Sequence, residues 1–212
     1  MLRDLDPLRD SYDRLASEYS SRVCDELRHK PFDRALLDRF AEACRGRGRV
    51  CDLGCGPGHV ARYLGDRGLD VCGMDLSPGM VEQARTMNPD LEFEVGDMRA
   101  LPVDDSAWAG ATAFYSLIHV PPDELAATIR ELHRVLQGGG LLLVAFHLGE
   151  ERLLHLDEMW GVQVSADFFF YDVPLVSQLL AEAGFEIVET LERDPYPEVE
   201  HPSRRGYLLA RR

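Results

Sequence analysis

The sequence predicts an α/β fold: a doubly wound, mostly parallel sheet of seven strands, preceded by a helical amino-terminal cap. Two observations support this prediction. From residue 49 onward, short apolar runs alternate with segments whose apolar residues recur at helical spacing, and the short connections favour parallel strands joined by right-handed crossovers. The last two strand-like segments, 185–193 and 205–210, have no helix between them, so they must pair antiparallel or leave the sheet.

Residues 1–45 form the predicted cap, and residues 46–212 form the core, with an insertion around residues 148–171. A chain of 212 residues is long enough for one domain with a buried core. Pro31 separates two helical segments of the cap, and the second runs from Phe32 to Cys44. The apolar residues of the first segment fall on one helical face: Leu8, Tyr12, Leu15, Tyr19 and Val23.

A glycine loop, residues 54–58, lies between the first predicted strand, 49–53, and a helix predicted from His59 to Asp66. Glycine permits positive φ and close approach of a ligand to the backbone, and the helix amino terminus offers free N–H groups. The spacing G-x-G-x-G differs from the dinucleotide fingerprint G-x-G-x-x-G. Asp52 before the loop would repel a phosphate and could bind an ammonium group. The alternative is a turn that only connects strand and helix.

Two further predicted strands end near acidic residues. The strand 70–75 ends in Asp75, 17 positions after Gly58 (75 − 58), where a carboxylate can accept hydrogen bonds from both hydroxyls of a ribose. Asp97 follows the strand 91–95 and can accept a hydrogen bond from an adenine amino group. Together with the glycine loop, these acids favour a nucleoside-containing ligand.

The remaining elements follow in order. Ser77-Pro78 is a helix-start signal, and Gly138-Gly139-Gly140 is predicted to end a later helix. The run 141–147 is unbroken and apolar, as in a central parallel strand. The other predicted segments are helices at 77–87, 122–136 and 172–183 and a strand at 110–116.

Composition and charge restrict the function classes. The formal net charge is −14 and the pI is about 4.9, which argues against a nucleic-acid partner because phosphate binding needs a basic face. The first ten residues contain no apolar signal segment, and no apolar run approaches the length of a membrane span. We therefore expect a cytoplasmic protein with no membrane partner. The five cysteines show no spacing typical of a zinc site, and no metal site is predicted.

Five motifs in order make the sequence resemble the class I S-adenosylmethionine-dependent methyltransferase family. They cover most of residues 49–147 and are DLGCGPG (52–58), GMDLSPGMVEQA (73–84), VGDMRALP (95–102), FYSLIHVP (114–121) and LHRVLQGGGLLLVAF (132–146). The resemblance implies a Rossmann-like sheet of seven strands, mostly parallel with an antiparallel carboxyl-terminal strand. It also implies S-adenosyl-L-methionine as the cofactor.

The same resemblance implies which residues contact the cofactor. Asp75 would hold the ribose, and Asp97 with Met98 the adenine. Asp52 or the loop backbone would anchor the methionine part, and Tyr12 and Tyr19 would close over it. For these two tyrosines, the alternative is an aromatic stripe that packs on the domain. The full predicted set is Tyr12, Tyr19, Asp52, Gly54, Cys55, Gly56, Gly58, Asp75, Leu76, Met80, Asp97, Met98 and Tyr115.

His119, after the strand 110–116, is the candidate catalytic base because imidazole titrates near neutrality. The alternatives are a structural histidine and one that contacts the cofactor. His147, at the end of the strand 141–147, is a second and weaker candidate. Alignment of the reacting groups is expected to contribute more than a base, and a dedicated base is not required.

The predicted function is methyl transfer to a small molecule, and the acidic composition and the aromatic insertion favour an apolar or aromatic substrate. The aromatic run 168–171 would shape the substrate pocket; its alternative role is to cover a sheet edge. Three other functions remain open: a non-catalytic cofactor-binding module, a variant reaction such as cyclisation, and a NAD-dependent oxidoreductase. The G-x-G-x-G spacing and the terminal strand pair count against the oxidoreductase.

Overall fold

The computed structural model describes residues 4–149 and 152–212. It contains a seven-stranded sheet in the order β3-β2-β1-β4-β5-β9-β8 and a separate hairpin, β6-β7. The strands are β1 Val50–Leu53, β2 Val71–Asp75, β3 Glu92–Val95, β4 Trp108–Phe114, β5 Leu136–Leu148, β6 Leu153–Met159, β7 Val162–Phe169, β8 Glu186–Arg193 and β9 Arg204–Arg211. The α-helices are α1 Asp6–Val23, α2 Pro31–Cys44, α3 His59–Gly65, α4 Pro78–Met87, α5 Pro122–Val135 and α6 Val173–Glu182.

The first five strands in the sheet, β3 to β5, are parallel, which confirms the predicted α/β fold. β1 lies between β2 and β4, so the strand order reverses between β1 and β4. Ligands of open α/β sheets bind at the carboxyl ends of the strands beside such a reversal. The glycine loop, which follows β1, lies at this point.

The last strand, β9, pairs antiparallel with β5 along Leu141–Leu148 and with β8 on its other side. The predicted antiparallel carboxyl-terminal strand is therefore confirmed, and β9 stays within the sheet. Because β9 lies between β5 and β8, it is an inner strand of the sheet, and β8 is the edge strand on this side.

Both faces of the sheet are covered. In β5, Leu142, Val144 and Phe146 pack into one apolar cluster with α5 and α6. The residues between them, Leu143 and Ala145, pack into a second cluster with α2 and α3. Because side chains alternate along a strand, an unbroken apolar run can fill two cores at once.

The structure differs from the prediction at the glycine triplet. α5 ends at Val135, and β5 begins at the next residue and continues through all three glycines. The backbone N–H of Gly139 donates to the carbonyl of Arg212, and the N–H of Arg212 donates to the carbonyl of Gly140. The end of the chain therefore satisfies the polar groups of the glycine segment, which remains in the sheet instead of forming a free turn.

The insertion contains a β-hairpin that the sequence analysis did not predict. β6 and β7 are joined by Trp160 and Gly161, both with positive φ (52° and 81°), as in a two-residue type I′ turn. The Gly161 position and the apolar alternation in β6 are the sequence signals that could have revealed it. The hairpin packs on α1, where Ser11 Oγ accepts from the N–H of Ser165 at 2.8 Å.

The cap helices occupy two positions around the core. α1 packs on α4 and on β7, and α2 packs on α3 and on β5. Asp13 ties α1 to α4, since its Oδ1 accepts from Ser77 Oγ at 2.5 Å and from the N–H of Gly79 at 2.8 Å. A short 3-10 helix, Glu26–His29, connects α1 to α2. α1 therefore lies over the carboxyl edge of the sheet, and its tyrosines face the cleft below.

Candidate active site

A cavity of about 520 Å³ lies at the carboxyl edge of the sheet, under α1 and beside the hairpin. It extends from the end of β3 to the ends of β5 and β9. The structure brings most of the predicted site residues into its wall: Tyr12, Tyr19, Gly54, Cys55, Gly56, Asp75, Leu76, Met80, Asp97, Met98, Tyr115 and His119. It does not bring Asp52 or Gly58 there.

Gly54 of the glycine loop packs so closely on the end of β4 that no other residue fits there without a clash. Gly54 has φ +67°, and a Cβ at this position would lie 2.3 Å from Ser116 Cβ. The N–H groups of Gly54 and Cys55 both donate to the carbonyl of Met74. The loop is therefore fixed against β2 and β4, with its outer surface in the cavity.

Gly58 has a packing role behind the loop. It is the N-cap of α3 with φ +81°, and a Cβ there would lie 2.7 Å from Phe93 Cζ and 2.9 Å from Asn88 Nδ2. The conformation and the crowding both require glycine. Gly58 therefore shapes the turn into α3 and does not line the cavity.

Asp52 lies beneath the cavity and does not line it, so the structure offers no direct contact between Asp52 and a ligand in the cavity. Its side chain is buried, and its Oδ1 accepts from Thr112 Oγ1 at 2.7 Å. Burial raises the pKa of Asp52 to about 6. A strand places successive side chains on opposite faces, and this strand directs Asp52 into the protein. Of the two predicted anchors for the methionine part, the loop backbone alone reaches the cavity.

Asp75 lines the cavity and fixes the glycine loop. Its Oδ2 accepts from the N–H of Gly56 at 2.8 Å, and its Oδ1 accepts from the N–H of Ser77 at 2.9 Å. Burial raises the pKa of Asp75 to about 6, although both N–H groups favour the carboxylate. Each oxygen of a carboxylate has a second lone pair, so Asp75 can still accept a hydrogen bond from a ligand at each oxygen.

Asp97 is held by an arginine that the sequence analysis missed. Arg99 donates from Nη2 to Asp97 Oδ2 at 2.7 Å and from Nη1 to Glu124 Oε2 at 2.6 Å. The Arg99 side chain is only 5% exposed, and Arg99 also lines the cavity. The spacing Asp-x-Arg after β3 was the available signal. The ion pairs fix the direction of the Asp97 carboxylate at the cavity wall.

The hydrogen bonds of His119 determine its tautomer. The ring Nδ1 lies 2.8 Å from the backbone carbonyl of Asp167, which can only accept, so Nδ1 has the proton. In the neutral ring Nε2 is then an acceptor, and it receives a hydrogen bond from Tyr12 Oη at 2.8 Å. Burial lowers the pKa of His119 to about 4. A neutral imidazole with an accepting nitrogen therefore lies under α1.

The wall beside β5 and β9, which we call the β5 end of the cavity, is formed by Lys30, Tyr115, His147, Phe170, His201 and Arg205. The Lys30 ammonium lies 2.8 Å from Glu26 Oε2 and 3.5 Å from Glu200 Oε1, and its side chain is 8% exposed. The sequence analysis did not identify Lys30, His201 or Arg205 as site residues. No local pattern distinguishes these residues from surface residues, because their partners lie far away in the chain.

The aromatic run of the insertion divides between the cavity and the core. Phe168 and Phe170 line the cavity. Phe169 and Tyr171 alternate with them and pack into the apolar core, where Tyr171 Oη donates to the carbonyl of Val120. Two alternate residues of the run therefore contribute to the cavity wall.

Metal and membrane features were sought in the described parts, residues 4–149 and 152–212. They contain no group of three or more His, Cys, Asp or Glu side chains placed to hold a metal ion. None of the helices in these parts has the length and the apolar character needed to cross a membrane. The cysteines at positions 24, 44, 51, 55 and 72 have free thiols.

Comparison with known proteins identifies the domain. Residues 50–140 match a family described as "Methyltransferase domain". The chain is 39% identical over 112 residues to a demethylmenaquinone methyltransferase of Beutenbergia cavernae, covering 53% of this chain and 45% of that protein. It is 32% identical over 155 residues to a malonyl-[acyl-carrier protein] O-methyltransferase of Pseudescherichia vulneris, covering 71% of this chain and 57% of that protein.

Solved structures show the same fold. A DhpI–SAH complex superposes with a TM-score of 0.75 at 23% identity, covering 98% of this chain and 96% of that one. A SAM-dependent methyltransferase of Methanosarcina mazei superposes with a TM-score of 0.70 at 20% identity, covering 77% and 92%. The chain spans about half the length of the curated relatives it matches. The matched domain and these relatives show that residues 50–140 form a methyltransferase domain, and the chain shares its fold with S-adenosylmethionine-dependent methyltransferases.

Proposed function

We propose that this chain binds S-adenosylmethionine in the cavity and transfers its methyl group to a small-molecule acceptor. The observation that supports this most directly is the continuity of the cavity. It extends from Asp97 and Asp75, past the glycine loop and His119, to the aromatic β5 end. A cofactor and an acceptor can therefore meet within one continuous cavity.

The residues of the first half of the cavity fit the cofactor. The Gly54 and Gly56 backbones face the cavity without side chains, and a Cβ at Gly56 would lie 3.7 Å from the Tyr19 ring. The Asp75 carboxylate, with one further lone pair on each oxygen, would accept from the two ribose hydroxyls, and Asp97 with Met98, which line the cavity, would hold the adenine. In this arrangement Leu76 and Met80 would flank the adenine: Met80 is fully buried, and both line the cavity.

The reaction depends mainly on alignment. The bound cofactor supplies a methyl group that its sulfonium makes electrophilic. The cavity wall has to hold the acceptor atom in line with this methyl group and exclude water, and such alignment can contribute about 7–11 kcal/mol. α1 covers the site from above, and Phe168 and Phe170 line it from the hairpin.

His119 and Tyr12 together would accept a proton from an acceptor that loses one on methylation. The Tyr12 hydroxyl donates to His119 Nε2, so a proton lost by the acceptor to Tyr12 Oη would displace the Tyr12 proton onto His119. The pKa of His119, lowered to about 4 by burial, makes the imidazole a weak base. General-base catalysis therefore adds to alignment and does not replace it.

Calorimetric titration with S-adenosylmethionine, S-adenosylhomocysteine and NAD tests the cofactor. We expect micromolar binding of the first two and none of NAD. NAD binding alone would overturn the proposal in favour of an oxidoreductase. Binding of the first two with no methyl transfer to any acceptor would instead indicate a non-catalytic module or a variant reaction.

Methyl transfer itself is tested by following S-adenosylhomocysteine release with a panel of small acceptors. The names of the relatives suggest two starting classes, a demethylmenaquinone and a malonyl group on a carrier protein. Aromatic acceptors with hydroxyl, amine or carboxyl groups complete the panel because aromatic side chains line the β5 end.

A further inference from the structure

His147 is hydrogen-bonded in the opposite sense to His119. Its Nδ1 lies 2.9 Å from Ser203 Oγ. Ser203 Oγ also accepts from Arg205 Nη1 at 2.7 Å, so one of its lone pairs is already used by a cation. A serine hydroxyl has one proton to donate, and His147 Nδ1 is its nearest acceptor. His201 Nδ1 is farther from the hydroxyl, at 3.4 Å.

This arrangement makes Nδ1 of His147 the acceptor and Nε2 the protonated nitrogen. Nε2 hydrogen-bonds to no residue in the described parts of the chain, and His147 lines the cavity. Burial, followed by the charge of Arg205, lowers the pKa of His147 to about 3, so the ring stays neutral. His147 is thus a hydrogen-bond donor toward the cavity and is not placed to act as a base.

The surroundings of His147 favour an oxygen ligand with an apolar body. The ring lies 5.3 Å from that of Tyr115 and 5.8 Å from that of Phe170. The charges of Lys30 and Arg205 lie 5.3 and 5.7 Å from the centre of the Tyr115 ring. Both cations are paired with carboxylates, so the β5 end has a positive side without a large excess of charge.

Tyr115 is held firmly in this position. It has φ +54°, a conformation that is costly for a residue with a Cβ and is found mainly where the surroundings enforce it. Its hydroxyl lies 2.8 Å from Tyr207 Oη and donates to Asp33 Oδ1 at 3.3 Å. Asp33 in turn accepts from Arg193 at 2.6 Å. The Tyr115 ring is therefore a fixed surface beside His147.

We infer that His147 Nε2–H binds a carbonyl or carboxylate oxygen of the acceptor substrate, with Ser203 as the positioning residue that sets its tautomer. This inference rests on the proposed function, which places the acceptor at the β5 end. The two histidines then have different roles: His119 accepts a proton through the Tyr12 hydroxyl, and His147 donates a hydrogen bond to the acceptor. The substrate class is an apolar or aromatic small molecule with an acyl oxygen.

The tautomers can be measured without any substrate. In the full chain labelled with ¹⁵N-histidine, a two-bond ¹H–¹⁵N correlation spectrum at pH 7 should show His147 protonated at Nε2 and His119 at Nδ1. The variant His147→Gln assigns the His147 signals by their loss. A His147 ring protonated at Nδ1 would overturn the inference, since Nε2 would then have no hydrogen to donate. Ser203→Ala should mix the tautomers of His147 if Ser203 positions it.

The ligand class is tested with three aromatic probes on the protein loaded with S-adenosylhomocysteine. Benzoate presents a carboxylate, acetophenone a carbonyl, and benzylamine no acceptor oxygen. Benzoate, acetophenone or both should shift the His147 Nε2 resonance, and benzylamine should not. The preferred probe distinguishes a carboxylate substrate from a carbonyl substrate. Equal binding of all three would overturn the inference.

Matched variants distinguish the contribution of the His147 N–H donor to probe binding from that of the aromatic ring. His147→Phe keeps a ring but removes the donor, and it should weaken binding of the preferred probe by roughly tenfold or more. His147→Gln retains an N–H donor and should stay within about threefold of the wild type. His133→Gln, which lies outside the cavity wall, serves as the control. Undiminished probe binding in His147→Phe contradicts the inference.

The outcomes also separate this inference from the proposed function. If S-adenosylhomocysteine binds but the probes show no preference for oxygen, the inference fails and the proposed function stands. If S-adenosylhomocysteine does not bind, the proposed function fails, and the tautomer spectrum of the free protein still decides whether His147 is a donor.

Discussion

Replacing Gly54 with alanine should destabilise the chain, and the cost should divide into two parts that can be measured separately. Gly54 has φ +67°, where an L-residue costs about 1–2 kcal/mol. The new Cβ would lie 2.3 Å from Ser116 Cβ, and such overpacking costs about 1–3 kcal/mol. We expect Gly54→Ala to lower the free energy of unfolding by about 2–5 kcal/mol.

A second substitution removes one part only. Ser116→Gly deletes the clashing Cβ but leaves the positive φ in place. By itself it loses the hydrogen bond from Ser116 Oγ to the carbonyl of Leu53, at 2.7 Å, and should cost about 0.5–1.5 kcal/mol for this bond. The added glycine costs about 0.5–1 kcal/mol more. In the double variant the clash is absent, so the two changes should couple by about 1–3 kcal/mol in the stabilising direction.

Urea unfolding followed by circular dichroism gives the four free energies of this cycle. Gly68→Ala is the control for the backbone part, because Gly68 has φ +82° and no heavy atom within 4 Å of the position of a Cβ. It should lose about 1–2 kcal/mol. Additivity of Gly54→Ala and Ser116→Gly within about 0.5 kcal/mol would refute the packing argument. A Gly54→Ala variant no less stable than Gly68→Ala would refute it as well.

Three further predictions concern charge and chemistry. Since burial raises the pKa of Asp75 to about 6, calorimetric affinity for S-adenosylhomocysteine should fall between pH 7 and pH 5, where the carboxylate becomes protonated and loses an acceptor. The variant Asp75→Asn should bind this ligand weakly and with little pH dependence. A wild-type affinity that does not change with pH would contradict the assignment of Asp75 to the ribose. His119→Gln should lower kcat by about 10²-fold or more and leave the affinity for S-adenosylhomocysteine unchanged. In the wild type, kcat should show no inflection near pH 6.5, because the pKa of His119 is lowered to about 4. Unaffected turnover in the variant would show that His119 is a structural residue. Asp33→Ala should lower the free energy of unfolding in urea by about 3–5 kcal/mol, because the Arg193 guanidinium loses one of its two carboxylate partners. Adding Arg193→Met should recover part of this loss. A loss below about 1 kcal/mol for Asp33→Ala would show that the ion pair does not contribute to folding.

Much of the fold could be predicted because the signals are local. The apolar run of β5 and the helical spacing in α5 each involve residues within a few positions of one another. Parallel strands bring their carboxyl ends to one edge of the sheet, so the positions of the glycine loop, Asp75 and Asp97 followed from their places after three strands. The antiparallel β9 was left open by the residues alone, and the structure places it between β5 and β8.

The β5 end of the cavity could not be predicted from local patterns. Lys30 and Glu200 lie 170 positions apart in the chain (200 − 30), yet their charged groups are 3.5 Å apart. A lysine beside a proline looks like a surface residue in the sequence, and only the packing of the cap on the carboxyl-terminal strands buries it. Asp52 shows the converse. Its position before the glycine loop predicted a contact with the ligand, but β1 directs its side chain away from the cavity.

The sequence by itself determined the order of the strands of the main sheet and the helices between them, the glycine loop and the two acids, because each depends on residues that are neighbours in the chain. Only the tertiary structure decided which histidine accepts and which donates. His119 and His147 have the same side chain, and each takes its tautomer from a partner 48 or 56 positions away, a backbone carbonyl in one case and a serine hydroxyl in the other. Hydrogen-bond partners at such separations are set by packing across the whole domain and leave no pattern in the sequence.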